Sequence, residues 1–156
     1  MLQRIQTVYL FCAAIVAFIL LFISIGTLQG EAGFYTYTPF SVKVIHTDAK
    51  ITSTIYNGLL LIGSSLLSLI TILFYKKRKL QVRLINVNMI VILAALFCML
   101  IVYPKWIFPS NEFLKGTVLN FNFVLLISLF VAVGLYLAKK AILKDEALVR
   151  STERLR

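Results

Sequence analysis

The sequence predicts an all-α membrane protein, a four-transmembrane-helix bundle with both termini on the cytoplasmic side. Three observations predict it. First, 60% of the 156 residues are hydrophobic and 14% are charged, against about 45–50% and about 25% in ordinary soluble domains. Second, the charges divide the chain into four uncharged runs. Third, the bases gather on one side of those runs. A soluble domain of this size buries only about 70% of its unfolded surface, too little to hide so much apolar area. That excludes a soluble enzyme, and disorder requires the opposite composition.

The runs cover 26 residues between Arg4 and Glu31, 25 between Lys50 and Lys76, 21 between Arg83 and Lys105, and 23 between Lys115 and Lys139. A helix needs about 20 mainly apolar residues, at 1.5 Å each, to cross a hydrocarbon core about 30 Å thick. All four runs qualify, and the expected spans are 5–25, 51–75, 84–103 and 117–138 of a single membrane domain, 1–156. Membrane strands would alternate apolar with polar residues. Ala13 to Leu21 shows no alternation, so the backbone must satisfy its own hydrogen bonds as helix.

The first run, Ile5–Ile23, is 19 residues, longer than the 7–15 of a secretory signal core, and it reads as a retained anchor. Orientation follows from the bases. Arg4, the loop of Lys76, Lys77, Arg78, Lys79 and Arg83, and the tail of Lys139, Lys140, Lys144, Arg150, Arg154 and Arg156 hold 12 of the 16. Cytoplasmic loops carry the Lys and Arg excess, so both termini face inward. The net charge of +10 therefore marks topology and anionic lipid rather than nucleic acid.

The first outer connection, 31–50, is rich in aromatic and β-branched residues. Phe34–Thr38 and Ser41–His46, with Pro39-Phe40 between them, read either as a small hairpin or as an aromatic loop among headgroups. In the second, Pro104 marks the expected end of the third span, and Trp106 beside Tyr103 anchors the outer interface. After Ala138 the fourth helix is expected to continue as a cytoplasmic extension, 139–156. That segment has no Gly or Pro, and Glu146 precedes Arg150 by one turn.

None of the four spans contains Asp, Glu, Lys, Arg or His, which argues against a proton-coupled transporter. The polar residues within them are small. Asn57, Ser64, Ser68 and Thr71 share one face of the second span, where small and hydroxylated side chains pack helices together. A lone His46 cannot build a metal site. Cys12 and Cys98 differ in expected depth by about 10 Å, too far for a disulfide. No hydrolase, phosphate-loop or thiol motif occurs, and neither catalytic residues, a cofactor nor a metal is expected.

The two ends carry the resemblance. Met1-Leu2-Gln3-Arg4-Ile5-Gln6-Thr7 and Lys144-Asp145-Glu146-Ala147-Leu148-Val149-Arg150-Ser151-Thr152-Glu153-Arg154-Leu155-Arg156 are similar to the signatures of a family of four-span membrane proteins of Bacteroidota, domain of unknown function 4293. Leu2 stands where the family has isoleucine. The resemblance implies a bacterial inner-membrane location and supplies no activity, substrate or cofactor.

These readings predict a non-enzymatic accessory or scaffold subunit of a membrane complex, in contact with the bilayer and with a partner membrane protein or a second copy. Arg4, Gln6, Asp145, Glu146, Arg150 and Arg154 form the candidate cluster, with Arg4 expected to pair with Asp145 or Glu146. The alternatives are a small transporter or channel for a neutral or amphipathic solute, lined by Asn57, Ser64, Ser68, Asn120 and Asn122, and a membrane-embedded enzyme on lipid or quinone. The last would need Asp145, Glu146 and Arg150 at a headgroup-sized pocket.

Overall fold

The computed structural model describes residues 2–30, 33–45, 49–75 and 77–153, with side chains over 5–30, 33–45, 49–75 and 77–148. The elements run α1 (Leu2–Ile19), β1 (Gly26–Gly30), β2 (Gly33–Tyr37), β3 (Ser41–Val44), β4 (Lys50–Ser53), α2 (Ile55–Leu73), α3 (Arg78–Phe97), a π-helical continuation (Cys98–Ile107), β5 (Val118–Phe121) and α4 (Val124–Glu153).

The chain is not the all-α bundle that its apolar runs predict. Four strands between α1 and α2 and one before α4 form an antiparallel sheet in the order β4-β3-β2-β1-β5. The hairpin expected in the first connection corresponds to β2 and β3, where Tyr37 faces Val42, but it is the middle of a larger sheet. β1 lies between β2 and β5, with Leu28 opposite both Tyr35 and Leu119. A two-stranded hairpin alone is marginal in water. Five strands pair the interior amides and give the sheet one buried face, made by Leu28, Tyr35, Tyr37 and Val42.

The strands shorten the expected spans. α1 stops at Ile19 rather than at residue 25 because the backbone turns into the sheet, where the Ile25 amide donates to the Tyr37 carbonyl at 2.7 Å. A Cβ at Gly26 would lie 2.6 Å from the Asn120 carbonyl oxygen, so only glycine lets β1 and β5 approach this closely. α2 begins at Ile55 because Ile51–Ser53 belong to β4, and α4 begins at Val124 because Val118–Phe121 form β5. Conversely, α3 starts at Arg78, so Arg78, Lys79 and Arg83 lie on a helix and not in a loop. Pro104 does not end the third helix. The wider π turns carry the chain past it to Ile107, since a missing amide and a bulky ring are better tolerated where each turn holds more residues.

All four helices bury a narrow seam with alternating steps of four and three residues. It reads Gln6, Leu10, Ala13, Ala17 on α1, continued by Leu20 just past its end, and Asn57, Leu61, Ser64, Ser68, Thr71 on α2. On α3 it runs Gln81, Ile85, Asn88, Ile92, Ala95, Met99, and on α4 Val124, Ser128, Val131, Leu135, Ala138, Ile142. This is the spacing that keeps a seam facing its partner along slightly supercoiled helices. α1 packs against α2 and α4, and α3 packs against α2 and α4. The outward faces carry Phe11, Phe18, Phe22, Leu66, Ile90, Leu93, Leu126 and Phe130, all exposed. Small and polar residues inside with large apolar residues outside is the reverse of a water-soluble protein. Ile55–Leu73, Arg78–Ile107 and Val124–Leu148 are long and apolar enough to cross a membrane, while the apolar stretch of α1, Ile5–Ile19, is shorter.

The turn between β2 and β3 is clamped to α2. The Thr54 amide donates to the Phe40 carbonyl, the Gly58 amide donates to the Pro39 carbonyl, and the Thr54 hydroxyl donates to the Thr38 carbonyl. The β2–β3 turn therefore sits on the first turn of α2.

Candidate functional site at the basic end of the helices

The end of the helices opposite the sheet collects the bases. α2 ends at Leu73 and α3 begins at Arg78, so a short connection returns the chain and places Lys77, Arg78, Lys79 and, one turn on, Arg83 together. α4 passes alongside, and Arg78 Nη2 bonds Asp145 Oδ2 at 2.9 Å with both side chains largely shielded from solvent. That pairing binds α3 to α4. Two buried glutamines fasten the same end. Gln6 Nε2 donates to the Ala141 carbonyl at 3.2 Å, tying α1 to α4. Gln81 Nε2 donates to the Thr71 carbonyl at 3.3 Å, tying α3 to α2.

Two cavities open here, and Arg78 belongs to both. One, of about 390 Å³, lies between α1 and the α2–α3 connection, lined by Gln6, Thr7, Val8, Phe11, Tyr75, Arg78 and Gln81. The other, of about 510 Å³, is lined by Lys77, Arg78, Lys79, Leu80, Arg83 and Glu146. The first has an apolar, aromatic wall, and the second is basic. Each falls in the range of about 300–1,000 Å³ that small ligands occupy.

The expected cluster is only partly assembled from described residues. Asp145 and Glu146 are at this end, and Gln6 is buried within it. The side chains of Arg4 and Arg150, and the whole of Arg154, lie outside the described residues, as does Lys76. The partner of Asp145 that the structure does describe is Arg78. Its role was hard to see in the sequence because it sits in a run of bases, any of which would reach an acid on α4. Gln81 was likewise masked by its charged neighbours, although it begins the seam that Ile85 and Asn88 continue.

The polar face of α2 is buried in the seam. Asn88 Nδ2 donates to Ser68 Oγ at 2.7 Å, and Ser68 donates to the Ser64 carbonyl. The Thr71 hydroxyl donates to the Leu67 carbonyl, and neighbouring Ser65 donates across to the Ala14 carbonyl of α1 at 3.2 Å. Asn57 Nδ2 donates to the Tyr37 hydroxyl. Asn120 lies in β5, and Asn122, just after it, donates to Ser24. Neither is in the seam, so the five residues expected to line a solute path are not brought together.

At the sheet end Tyr37 packs edge-on to Phe108, ring centres 5.2 Å apart, and lies 5.9 Å from Tyr103. Burial is the main cause that pushes the Tyr37 phenol well above its ordinary range, the neighbouring Tyr103 adds to it, and the Asn57 hydrogen bond opposes it. Cys12 is exposed, and Cys98 is part-buried on the π-helical continuation, both free thiols. His46 lies outside the described residues. Among the described residues no group of three or more His, Cys, Asp or Glu side chains could hold a metal ion.

Comparison with curated proteins and with solved structures returns no match. The family model described as domain of unknown function (DUF4293) matches residues 2–155, nearly the whole chain, and the protein belongs to that family.

Proposed function

We propose that the protein is an integral membrane scaffold or accessory subunit, held in a bacterial inner membrane by α2, α3 with its continuation, and α4, with the basic end in the cytoplasm. The observation that carries this reading is how the interior polar side chains are used. Within the seam, Asn88 and Ser65 each bond to a neighbouring helix. They hold the seam closed, as small and amide-bearing residues do between helices in lipid. A solute path would need such groups to face an opening.

The remaining surface suits docking. Beyond the apolar belt a cavity of about 570 Å³ opens at the sheet, lined by Val44, Ala49, Lys50, Ile51, Asn111 and Phe113 with buried Tyr35 at its floor. Lys77, Lys79 and Arg83 are exposed at the other end. Bases placed this way match the cytoplasmic side of a membrane.

The test is affinity purification of the full chain from membranes in mild detergent. The scaffold reading expects another membrane protein, or a second copy, to co-purify at fixed stoichiometry. A lone monomer carrying a bound small molecule other than a phospholipid would replace it with a transporter or channel. Release from membranes by alkaline carbonate, without detergent, would remove the integral-membrane reading altogether.

A further inference from the structure

We propose that the basic end binds one anionic phospholipid, with its phosphate against Lys77, Arg78 and Lys79 and an acyl chain in the groove between α1 and the α2–α3 connection. This rests on the membrane reading above, because the ligand must reach the groove from a leaflet.

The two cavities meeting at Arg78 have the composition of the two halves of such a lipid. The groove is walled by Val8, Phe11 and Tyr75, with Gln6, Thr7 and Gln81 beside them. Val8, Phe11 and Tyr75 are each about half exposed, so the groove is open on the flank where α1 presents its apolar outer face. An alkyl chain covering those residues would remove apolar surface from any contact with water at about 25 cal/mol per Å². The adjoining cavity carries four bases, Lys77, Arg78, Lys79 and Arg83, against one carboxylate, Glu146. Asp145 accepts one of the five N–H donors of Arg78. Its carboxylate thereby orients the guanidinium at the junction while leaving the lysines to bind the anion.

Two features favour a phospholipid over a soluble phosphate. The cationic cavity continues into an aromatic groove, which a free ion would leave uncovered. Arg78 also stands at the first residue of α3, where the membrane reading places the passage from hydrocarbon to headgroups. A zwitterionic lipid would fill the groove equally well but would gain less from the bases. Selectivity for negative headgroups is therefore the distinguishing property.

The experiment uses the full chain, purified in mild detergent, with native mass spectrometry after adding phosphatidylglycerol or phosphatidylcholine. Wild type is expected to retain one phosphatidylglycerol and to prefer it over phosphatidylcholine. Lys77→Gln with Lys79→Gln alters two exposed side chains with no side-chain bond among the described residues. At about 1 kcal/mol per base, losing two should weaken phosphatidylglycerol about 30-fold and phosphatidylcholine less. Val8→Trp fills the groove and should abolish retention of either lipid while leaving helicity and thermal midpoint near wild type. Three results overturn the proposal: no retained phospholipid in a protein that still needs detergent for extraction, equal binding of the two lipids, or displacement of the lipid by millimolar inorganic phosphate with no effect of Val8→Trp. Extraction without detergent would instead sink the membrane reading on which it stands.

Discussion

Tyr37 on β2 accepts a hydrogen bond of 2.6 Å from Asn57 Nδ2 on α2, buried at the point where the sheet meets the helices. The bond spans 20 residues of sequence and holds two elements that share no secondary-structure pairing. Tyr37→Phe keeps the ring packing against Phe108 and removes the acceptor, leaving a buried amide donor unmet. An unsatisfied buried donor costs about 1–3 kcal/mol. Thermal unfolding in detergent should show Tyr37→Phe destabilised by that amount, with the helical circular dichroism unchanged below the transition.

The same phenol gives a pH signature. Its proton is held above the ordinary tyrosine range in the folded protein, chiefly by burial, whereas in the unfolded chain it titrates near 10. Below about pH 9 the group is neutral in both states and contributes no pH dependence. Above about 10 the unfolded chain loses the proton while the folded chain keeps it, so stability falls by about 1.4 kcal/mol per pH unit. Tyr37→Phe should lack this component. The difference between wild-type and variant midpoints, measured from pH 8 to 11, should shrink as pH rises, and a constant difference would contradict the shift.

Phe40 and Gly58 make the second contact of the clamp. A Cβ on Gly58 would collide with the Phe40 ring, yet Phe40 is part of the surface and can swing away. Gly58→Ala should therefore cost about 1–2 kcal/mol through displacement of the ring, within the range for overpacked sites. Adding Phe40→Ala should recover most of that loss, because alanine also suits a helical position better than glycine. Stability of the two single variants and the double variant provides the measurement.

The helical half of this fold is legible in the sequence and the sheet is only partly so. The steps of seven, four and three linking Asn57, Ser64, Ser68 and Thr71 already name the buried face of α2, because hydroxyls and amides avoid lipid. The central strands announce themselves through Phe34–Tyr37 and Ser41–Val44. The outer strands do not, since Ile51–Ser53 and Val118–Phe121 carry no charge and merge with the apolar runs that follow. Charge alone cannot separate a strand joined to a helix from a longer helix. The local signals lie in the polar residues at the joints, Thr52-Ser53-Thr54 and Asn120-Phe121-Asn122, and in Gly26, whose close approach to β5 has no counterpart in a helix. The basic end was legible as charge but not as geometry, because four neighbouring bases offered equivalent partners for Asp145.

Asn88 tests the claim that seam polarity is structural. Its amide bonds Ser68 Oγ at 2.7 Å, while its Oδ1 finds no donor among the described residues. Asn88→Ala loses the bond and leaves space, and should cost about 1–2 kcal/mol given the modest worth of interhelical hydrogen bonds in lipid. Asn88→Leu has similar bulk and no buried carbonyl to satisfy. It should fall within about 1 kcal/mol of wild type, since Ser68 still donates to Ser64. Unfolding of both variants in detergent measures the contrast, and a leucine variant as damaged as the alanine one would remove the packing account.

Arg78 and Asp145 join α3 to α4 across a contact of 2.9 Å that is neither fully buried nor fully exposed, with side-chain exposures of 29% and 14%. An exposed pair would contribute about 0–1 kcal/mol, and breaking a fully buried one would cost about 3–5 kcal/mol. The intermediate setting places the expected coupling at about 1–2 kcal/mol. A double-mutant cycle with Arg78→Gln and Asp145→Asn isolates it from the separate cost of each change. Partial shielding also predicts that the coupling survives 0.5 M salt better than a surface pair would, because mobile ions screen buried charges less. A parallel cycle pairing Arg4→Gln with Asp145→Asn should give a smaller value, since Asp145 already has a partner in place. Equal coupling in the two cycles would mean that Arg4 shares the carboxylate and that α1 belongs to the same electrostatic joint.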